Sequence, residues 1–443
     1  MVARYRAVYA HSCCYLLGLL VLVDGAAVIC ENHTGLFARR DGPCPDQTTN
    51  IRIAGANIFD SLWVGSSGMN TCCNPSGGPA TYPDALAAME SAARSGVRVF
   101  RVFGKLFGTA QTMWVTNASV FWQEYDRMVD DIERLNLRAV LSIGTGQWHL
   151  VANALHPGLN ETANDCVRNR SSMSYSLQSQ YFHDIVTRYR GRPGILAWEL
   201  GNELNLQTNL PPPFCGDKQC FNTSEMVAFT QDLCKIIRAL DPNRPISSGF
   251  SMPRPSAWHQ EHCPLTGPCP ADPHSGYWTT DTEEQFRENL RIQNTAVDWW
   301  SVHLYKHRDK HGCYFDKKSC VRGGAVVTIA AEEAASSRKA LYVGEYGGPH
   351  PNYTGPTSYD QEFPSQILKV QVSQPIPLTT IWAWACPSHR GDMVCIWPNS
   401  TRPKERGSKR MIDLLAEANA RMNQTVAGTL GENIPKRSTA RND

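Results

Sequence analysis

Short runs of β-branched and aromatic residues alternate along this chain with stretches in which apolar residues recur every three or four positions. The first pattern predicts strands and the second predicts amphipathic helices. Strand segments fall at Ile51–Asn57, Val97–Phe103, Arg138–Ile143, Ile195–Leu200, Pro245–Gly249, Trp299–Tyr305, Leu341–Glu345 and Thr379–Trp384. The helical segments that answer them are Asp84–Arg94, Phe121–Leu135, Tyr181–Tyr189, Ser224–Leu240, Glu283–Ile292, Val326–Ser336, Asp360–Val372 and Arg410–Met422. Trp122, Tyr125, Val129 and Ile132 make one stripe on the second helix. Met226, Phe229, Leu233, Ile236 and Ile237 make another on the fourth, with Ser224 as its expected N-cap.

Parallel strands joined through helices cross over right-handed, and eight such units close into a barrel. The predicted fold is therefore a single (β/α)₈ domain over residues 51–422, with its active face at the C-terminal strand ends. A 28–50 extension precedes it and a polar tail, 423–443, follows. Residues 1–27 read as a secretory signal peptide: Arg4 and Arg6, an apolar run from Tyr15 to Val23, then Gly25, Ala26 and Ala27. That run falls short of the about 20 apolar residues of a comfortable membrane span, which leaves an uncleaved anchor as the alternative.

Cysteine usage strengthens the extracellular reading. Of sixteen cysteines, many lie in close pairs: Cys72/Cys73, Cys215/Cys220, Cys263/Cys269, Cys313/Cys320 and Cys386/Cys395. Such spacings in polar loops suit disulfides in an oxidising compartment. These cysteines, with Cys166, sit after a strand and before its helix, so the bridges either hold cleft walls or simply staple long loops. Eight Asn-x-Ser/Thr sites (Asn32, Asn117, Asn160, Asn169, Asn222, Asn352, Asn399, Asn423) are glycan acceptors in that compartment. The net charge of +2 provides no field that would draw nucleic acid or an anionic membrane, and a monomer is expected.

Chemistry concentrates in two strand ends. In Ile195–Glu203 (ILAWELGNE), Ala197, Glu199, Gly201 and Glu203 share one face. Glu199 then points into the barrel as a paired structural group, while Glu203 emerges at the rim beside Asn202. In LYVGEYGG, Leu341, Val343 and Glu345 share a face, which brings Glu345 to the same rim. Two carboxyl groups near 5 Å apart at a barrel mouth suit attack on a sugar's anomeric carbon by one and protonation of the departing oxygen by the other.

The WELGNE and GEYG segments closely resemble clan A glycoside hydrolases, family 5 in particular, and the resemblance runs from about Ile51 to about Met422. It implies Glu203 as acid/base, Glu345 as nucleophile and Asn202 as a partner of the sugar 2-hydroxyl. It also implies Arg101 (in VRVFRVFG), His303 and Tyr305 (in SVHLY) as site residues, and a tryptophan platform on the eighth strand. Trp384 is the favoured platform residue, with Trp382 deeper. Trp148, with Trp63, Trp258 and Trp278, is a candidate for further sugar contacts. Arg101 and the Tyr305 hydroxyl are expected to hydrogen-bond Glu345.

The string AWELGNE and the turn GEYGG look most like the β-mannanase branch, so a β-1,4-linked mannan is the expected substrate. The alternatives are a β-glucan, another clan A β-glycosidase such as a β-glucuronidase-like enzyme, or a catalytically silent carbohydrate-binding barrel. No cofactor and no metal are expected. His307, His311 and Cys313 belong to a polar loop rather than to a metal site, and no GxSxG, HExxH, Walker or dinucleotide motif stands in a suitable context.

Overall fold

A computed structural model describes residues 28–32, 35–39, 50–58, 62, 82–212, 214–215, 220–305, 314–315, 323–347, 362–384, 396 and 408–431. Eight parallel strands close into a barrel: β1 (Ile53–Ile58), β2 (Val99–Phe103), β3 (Arg138–Ser142), β4 (Ile195–Glu199), β5 (Ile246–Ser247), β6 (Trp299–Tyr305), β7 (Ala340–Gly347) and β8 (Leu378–Ile381). Each neighbours the next in chain order, and β8 closes on β1. The outer ring is α1 (Tyr82–Arg94), α2 (Ala118–Arg134), α3 (Met173–Tyr189), α4 (Thr223–Leu240), α5 (Glu283–Gln293), α6 (Gly324–Ser336), α7 (Glu362–Ser373) and α8 (Ser408–Gly431).

Helices form where the apolar stripe has a strand surface to cover. On α2, Phe121, Tyr125, Met128, Val129 and Ile132 are buried, while Trp122 is only half-buried and packs under Arg188. Asn222, not Ser224, caps α4. Its side chain accepts from the Glu225 amide while the Glu225 carboxylate accepts from the Asn222 amide, a reciprocal pair that satisfies two otherwise orphaned donors. The last helix runs to Gly431, through the first residues of the segment read as a tail. Ahead of the barrel, Val28–Asn32, Gly35–Arg39 and Asn50–Ile51 form an antiparallel three-stranded sheet.

Two cores result. Inside the barrel, Val99, Val140, Leu196, Ala197, Trp299, Ala340, Tyr342 and Leu378 pack together. A larger layer lies between strands and helices, with Trp198, Trp300 and Trp384 among its buried members. Trp198 also donates to Asp241 at 3.0 Å, which gives its indole N–H the partner that burial demands.

The loops after β4 and β5 carry disulfides Cys215–Cys220 and Cys263–Cys269. Cys166, in the loop after β3, and Cys234, on α4, are buried free thiols. Burial pushes each thiol up to about 12, so neither is a ready thiolate. Cys166 therefore staples nothing. The 1–27 segment read as a signal peptide, Trp63, His307, His311 and the pairs Cys72/Cys73, Cys313/Cys320 and Cys386/Cys395 lie outside the described residues.

Candidate active site

Arg101 organises the mouth of the barrel. It projects inward from β2, is wholly buried, and spreads its donors over four side chains. Nε donates to both Glu199 oxygens at 2.8 and 3.0 Å. Nη1 reaches Glu345 Oε1 at 2.6 Å and Asn57 Oδ1 at 3.2 Å, and Nη2 reaches Asn202 Oδ1 at 2.8 Å. Burial alone would pull its proton off, but Glu199 and Glu345 beside it raise its affinity for that proton above the ordinary arginine value. A guanidinium suits this position because its planar fork serves several acceptors at once.

Glu345 reaches the mouth by a route that simple alternation does not predict. Leu341 and Val343 face the outer core, whereas Tyr342 faces the barrel interior. Strict alternation would therefore send Glu345 outward. The pairing of β7 with β6 shifts at Gly344: Val343 pairs with Val302, and Glu345 pairs with His303. This bulge turns Glu345 inward. A side chain at Gly344 would meet His303 Nε2 at 2.7 Å and Ser301 Oγ at 3.0 Å, so glycine is required where β7 closes on β6. Asn57, at the end of β1, donates to the Gly344 carbonyl at 2.9 Å and ties the bulge down. Once inside, Glu345 accepts from Arg101 and, at 2.6 Å, from the Tyr305 hydroxyl.

Glu203 stands four residues beyond Glu199, past the end of β4. Its backbone is left-handed (φ 51°, ψ 36°), a conformation that costs a non-glycine residue and recurs at functional sites. Its amide donates to the Gly249 carbonyl at 2.7 Å, anchoring the turn to the end of β5. Burial pushes its carboxyl above the usual range, with Arg101 and a hydrogen bond from Ser251 only partly opposing. His303 Nδ1 lies 3.1 Å from Glu203 Oε1 and 3.5 Å from Glu345 Oε1. Buried without contact to water, that imidazole is pushed down to about 4 and stays neutral at working pH.

Glu203, His303 and Glu345 thus offer one donor atom each, all within 4.8 Å of one another. A cation would compete there with the Arg101 guanidinium and the Tyr305 hydroxyl for Glu345. A second cluster, His259 with Cys263 and Cys269, has both sulfurs tied in a disulfide.

The aromatic expectations need correction. Trp384 is fully buried in the outer core, with its indole N–H on Ser91 Oγ of α1 at 2.9 Å. Strand β8 ends at Ile381, so alternation no longer governs the residues beyond that point. Trp382 is the half-exposed one, its ring 6.5 Å from that of Phe103. Phe103 in turn lies 5.1 Å from the Arg101 guanidinium. Trp148 is wholly buried and packs edge-on against Trp114 and at a tilt against Tyr181, as part of the core. Trp258 stacks on His262 and donates to Glu288. Trp278 alone of the proposed loop tryptophans within the described residues is largely exposed.

Four contributors carry no motif of their own in the sequence: Asn57, Phe103, Lys105 and Phe107. A polar residue at the end of β1 was the available signal for Asn57. A pocket of about 260 Å³ opens beside Glu203 and Asn202, bordered by Lys105, Phe107, Gln147 and Leu206. Lys105 is nearly buried, with its ammonium 3.6 Å from the centre of the Phe107 ring.

The cellulase model of glycosyl hydrolase family 5 matches residues 55–386, a stretch that contains every residue of this constellation. The chain belongs to glycosyl hydrolase family 5. Among curated relatives it is 26% identical, over 51% of its length and 59% of the relative's, to mannan endo-1,4-beta-mannosidase 8 of rice, Oryza sativa subsp. japonica. It is 30% identical to the probable mannan endo-1,4-beta-mannosidase F of Aspergillus oryzae over 29% of this chain and 22% of that one. The matches thus span little more than half of the rice relative and about a fifth of the Aspergillus one. The family 5 mannosidase of Rhizomucor miehei shares the fold at TM-score 0.58 and 13% identity, covering 91% of this chain and 99% of that one. The endo-beta-1,4-mannanase of Thermotoga petrophila does so at 0.54 and 17%, over 87% and 78%.

Proposed function

We propose that this chain is a secreted, retaining β-mannan hydrolase of the endo-1,4-β-mannosidase type. The observation that carries the mechanism is the approach of Glu203 and Glu345 oxygens within 4.8 Å across the barrel mouth. Spacing of this order suits a double displacement, whereas an inverting pair stands about 6.5–9.5 Å apart to admit a water. Three carboxyl groups surround one guanidinium here, so at least one of them does best to hold a proton. Glu203 is that group, because burial raises its carboxyl and no cation is bonded to it directly.

In this reading Glu345 attacks the anomeric carbon while Glu203 protonates the departing oxygen. The leaving sugar departs with that proton, and a glycosyl ester forms on Glu345. Glu203, now ionised, takes a proton from water as that water attacks, and the ester is cleaved with the configuration restored. Arg101 and Tyr305 hold Glu345 in place, Asn202 faces the sugar 2-hydroxyl, and Trp382 supplies the apolar platform. Neutral His303 remains a hydrogen-bonding neighbour of both carboxyls.

The mannan assignment draws on the named activities of the relatives, and secretion draws on the leader-like 1–27 segment and the two disulfides. The cellulase description of the matching family model favours β-1,4-glucan as the second reading. A panel of mannan, cellulose, mixed-linkage glucan and aryl β-glycosides separates them. A 2-fluoro mannosyl fluoride followed by peptide mapping is expected to label Glu345, with newly released reducing ends in the β configuration. Label on another residue, or α product from a β bond, overturns the mechanism.

A further inference from the structure

The largest exposed apolar side chains on this molecule, among the described residues, are Phe214, 57% exposed, and Trp278, 52% exposed. They are not scattered. Their rings touch edge-to-face with centroids 5.3 Å apart, although Phe214 lies in the loop after β4 and Trp278 in the loop after β5. Solvent-exposed single apolar residues need no explanation, but a paired and anchored aromatic surface on a binding face does.

Both rings sit on a braced scaffold. Phe214 directly precedes Cys215, which is bridged to Cys220. Tyr277, next to Trp278, packs edge-on against it and donates its hydroxyl to the Asn209 carbonyl. Arg254 crosses between the same loops, donating to the carbonyls of Leu206 and Thr208. Asn205 and Ser251 exchange two further bonds, at 2.8 and 2.9 Å. The pair is therefore held in place before any ligand arrives, which lowers the entropic cost of binding.

The position relative to the carboxyl groups decides which part of a substrate it meets. The pocket beside Glu203 is bordered by Asn202, Leu206 and Gln207, and by none of Glu345, His303 or Tyr305. It lies on the proton donor's side, where the leaving portion of the chain must be. Leu206, itself 37% exposed, also borders a narrow crevice lined by Thr208 and Asn209. Asn209 follows Glu203 by six residues, so it stands at most about 20 Å away, within reach of a short run of sugar rings.

We infer that Phe214 and Trp278 form a distal binding site for the leaving-group end of a β-linked hexose polymer, stacking the C–H face of a ring several units beyond the cleaved bond. This inference rests on the polysaccharide-hydrolase reading above. Such a site adds affinity for long substrates and has nothing to touch on short ones.

The test compares KM for soluble β-mannan with KM for an aryl β-mannoside in wild type, Trp278→Ala, Trp278→Phe and Leu265→Ala. Leu265 is also exposed, at 47%, and serves as the surface control. Trp278→Ala is expected to raise the ratio of the two KM values about tenfold, with partial recovery in Trp278→Phe. A ratio that moves no more than in Leu265→Ala overturns the inference. If wild type hydrolyses no polysaccharide at all, the functional reading fails, and affinity electrophoresis in gels containing mannan or β-glucan then decides the site separately. Retardation of wild type that Trp278→Ala loses supports it, and no retardation in any gel overturns it.

Discussion

Glu199 and Glu203 lie four residues apart on one segment, yet the barrel treats them oppositely. Glu199 is completely buried, and Arg101 Nε engages both its oxygens. Glu203 keeps 23% of its side chain open, sits on a left-handed turn, and has a neutral histidine 3.1 Å away. One carboxylate grounds a buried cation. The other is desolvated, and Arg101 and a hydrogen bond from Ser251 only partly offset that cost to its charge. The difference shows that a carboxyl group's role follows from which donors the fold delivers to it, and that depth along a barrel strand controls that delivery.

Removing the third carboxyl tests the frame of this comparison most severely. Glu345→Ala is expected to lower kcat on mannan by roughly 10⁴-fold or more, measured by reducing-sugar release. A loss under tenfold would remove Glu345 from the chemistry. Glu199→Ala probes the deep member of the pair: it strips a buried guanidinium of its main partner and should cost about 3–5 kcal/mol in denaturant unfolding.

Glu203→Gln tests the shallow member by separating activity from stability. Its kcat/KM on mannan should fall about 10²- to 10⁴-fold, and far less on an aryl glycoside whose leaving group needs no proton. Its unfolding midpoint should stay put, since no ion pair is lost. In wild type, activity should decline as pH rises through the raised Glu203 pKa, and this alkaline limb should vanish in Glu203→Gln. An identical limb in both proteins would assign the proton elsewhere.

His303 provides a subtler probe. Its folded-state pKa is lowered to about 4 from 6.5, so between those values the unfolded chain binds a proton that the native barrel refuses. Stability should therefore rise with pH across that window, by on the order of 3 kcal/mol, and His303→Gln should flatten the slope. The smallest expected effect is that of Tyr305→Phe, which deletes one of the two donors to Glu345: about tenfold in kcat/KM with the fold unchanged.

Much of this molecule is legible in its residues alone. Strand–helix alternation predicts all eight barrel strands to within a few residues, because each element must bury one face and the spacing of apolar residues records which one. The two carboxyl groups stand out because strand ends in this architecture open onto the catalytic face. Other features are not local. Nothing in TTIWAWACP says that β8 stops at Ile381, and so Trp384 enters the outer core while Trp382 stays half-exposed near Phe103. Trp148 looks like a loop aromatic but lies in a short helix over Trp114 and Tyr181.

By itself, then, the amino-acid order determined the barrel and its direction and put two carboxyl groups at its strand ends, since each depends on periodicity or on short motifs. Only the tertiary structure decided which way Glu345 points. Alternation along β7 aims it outward, and the shift in pairing at Gly344 turns it in, beside His303 and beneath Arg101. A bulge is a property of two strands in register, and register is settled by the closure of the whole barrel rather than by any one segment of it.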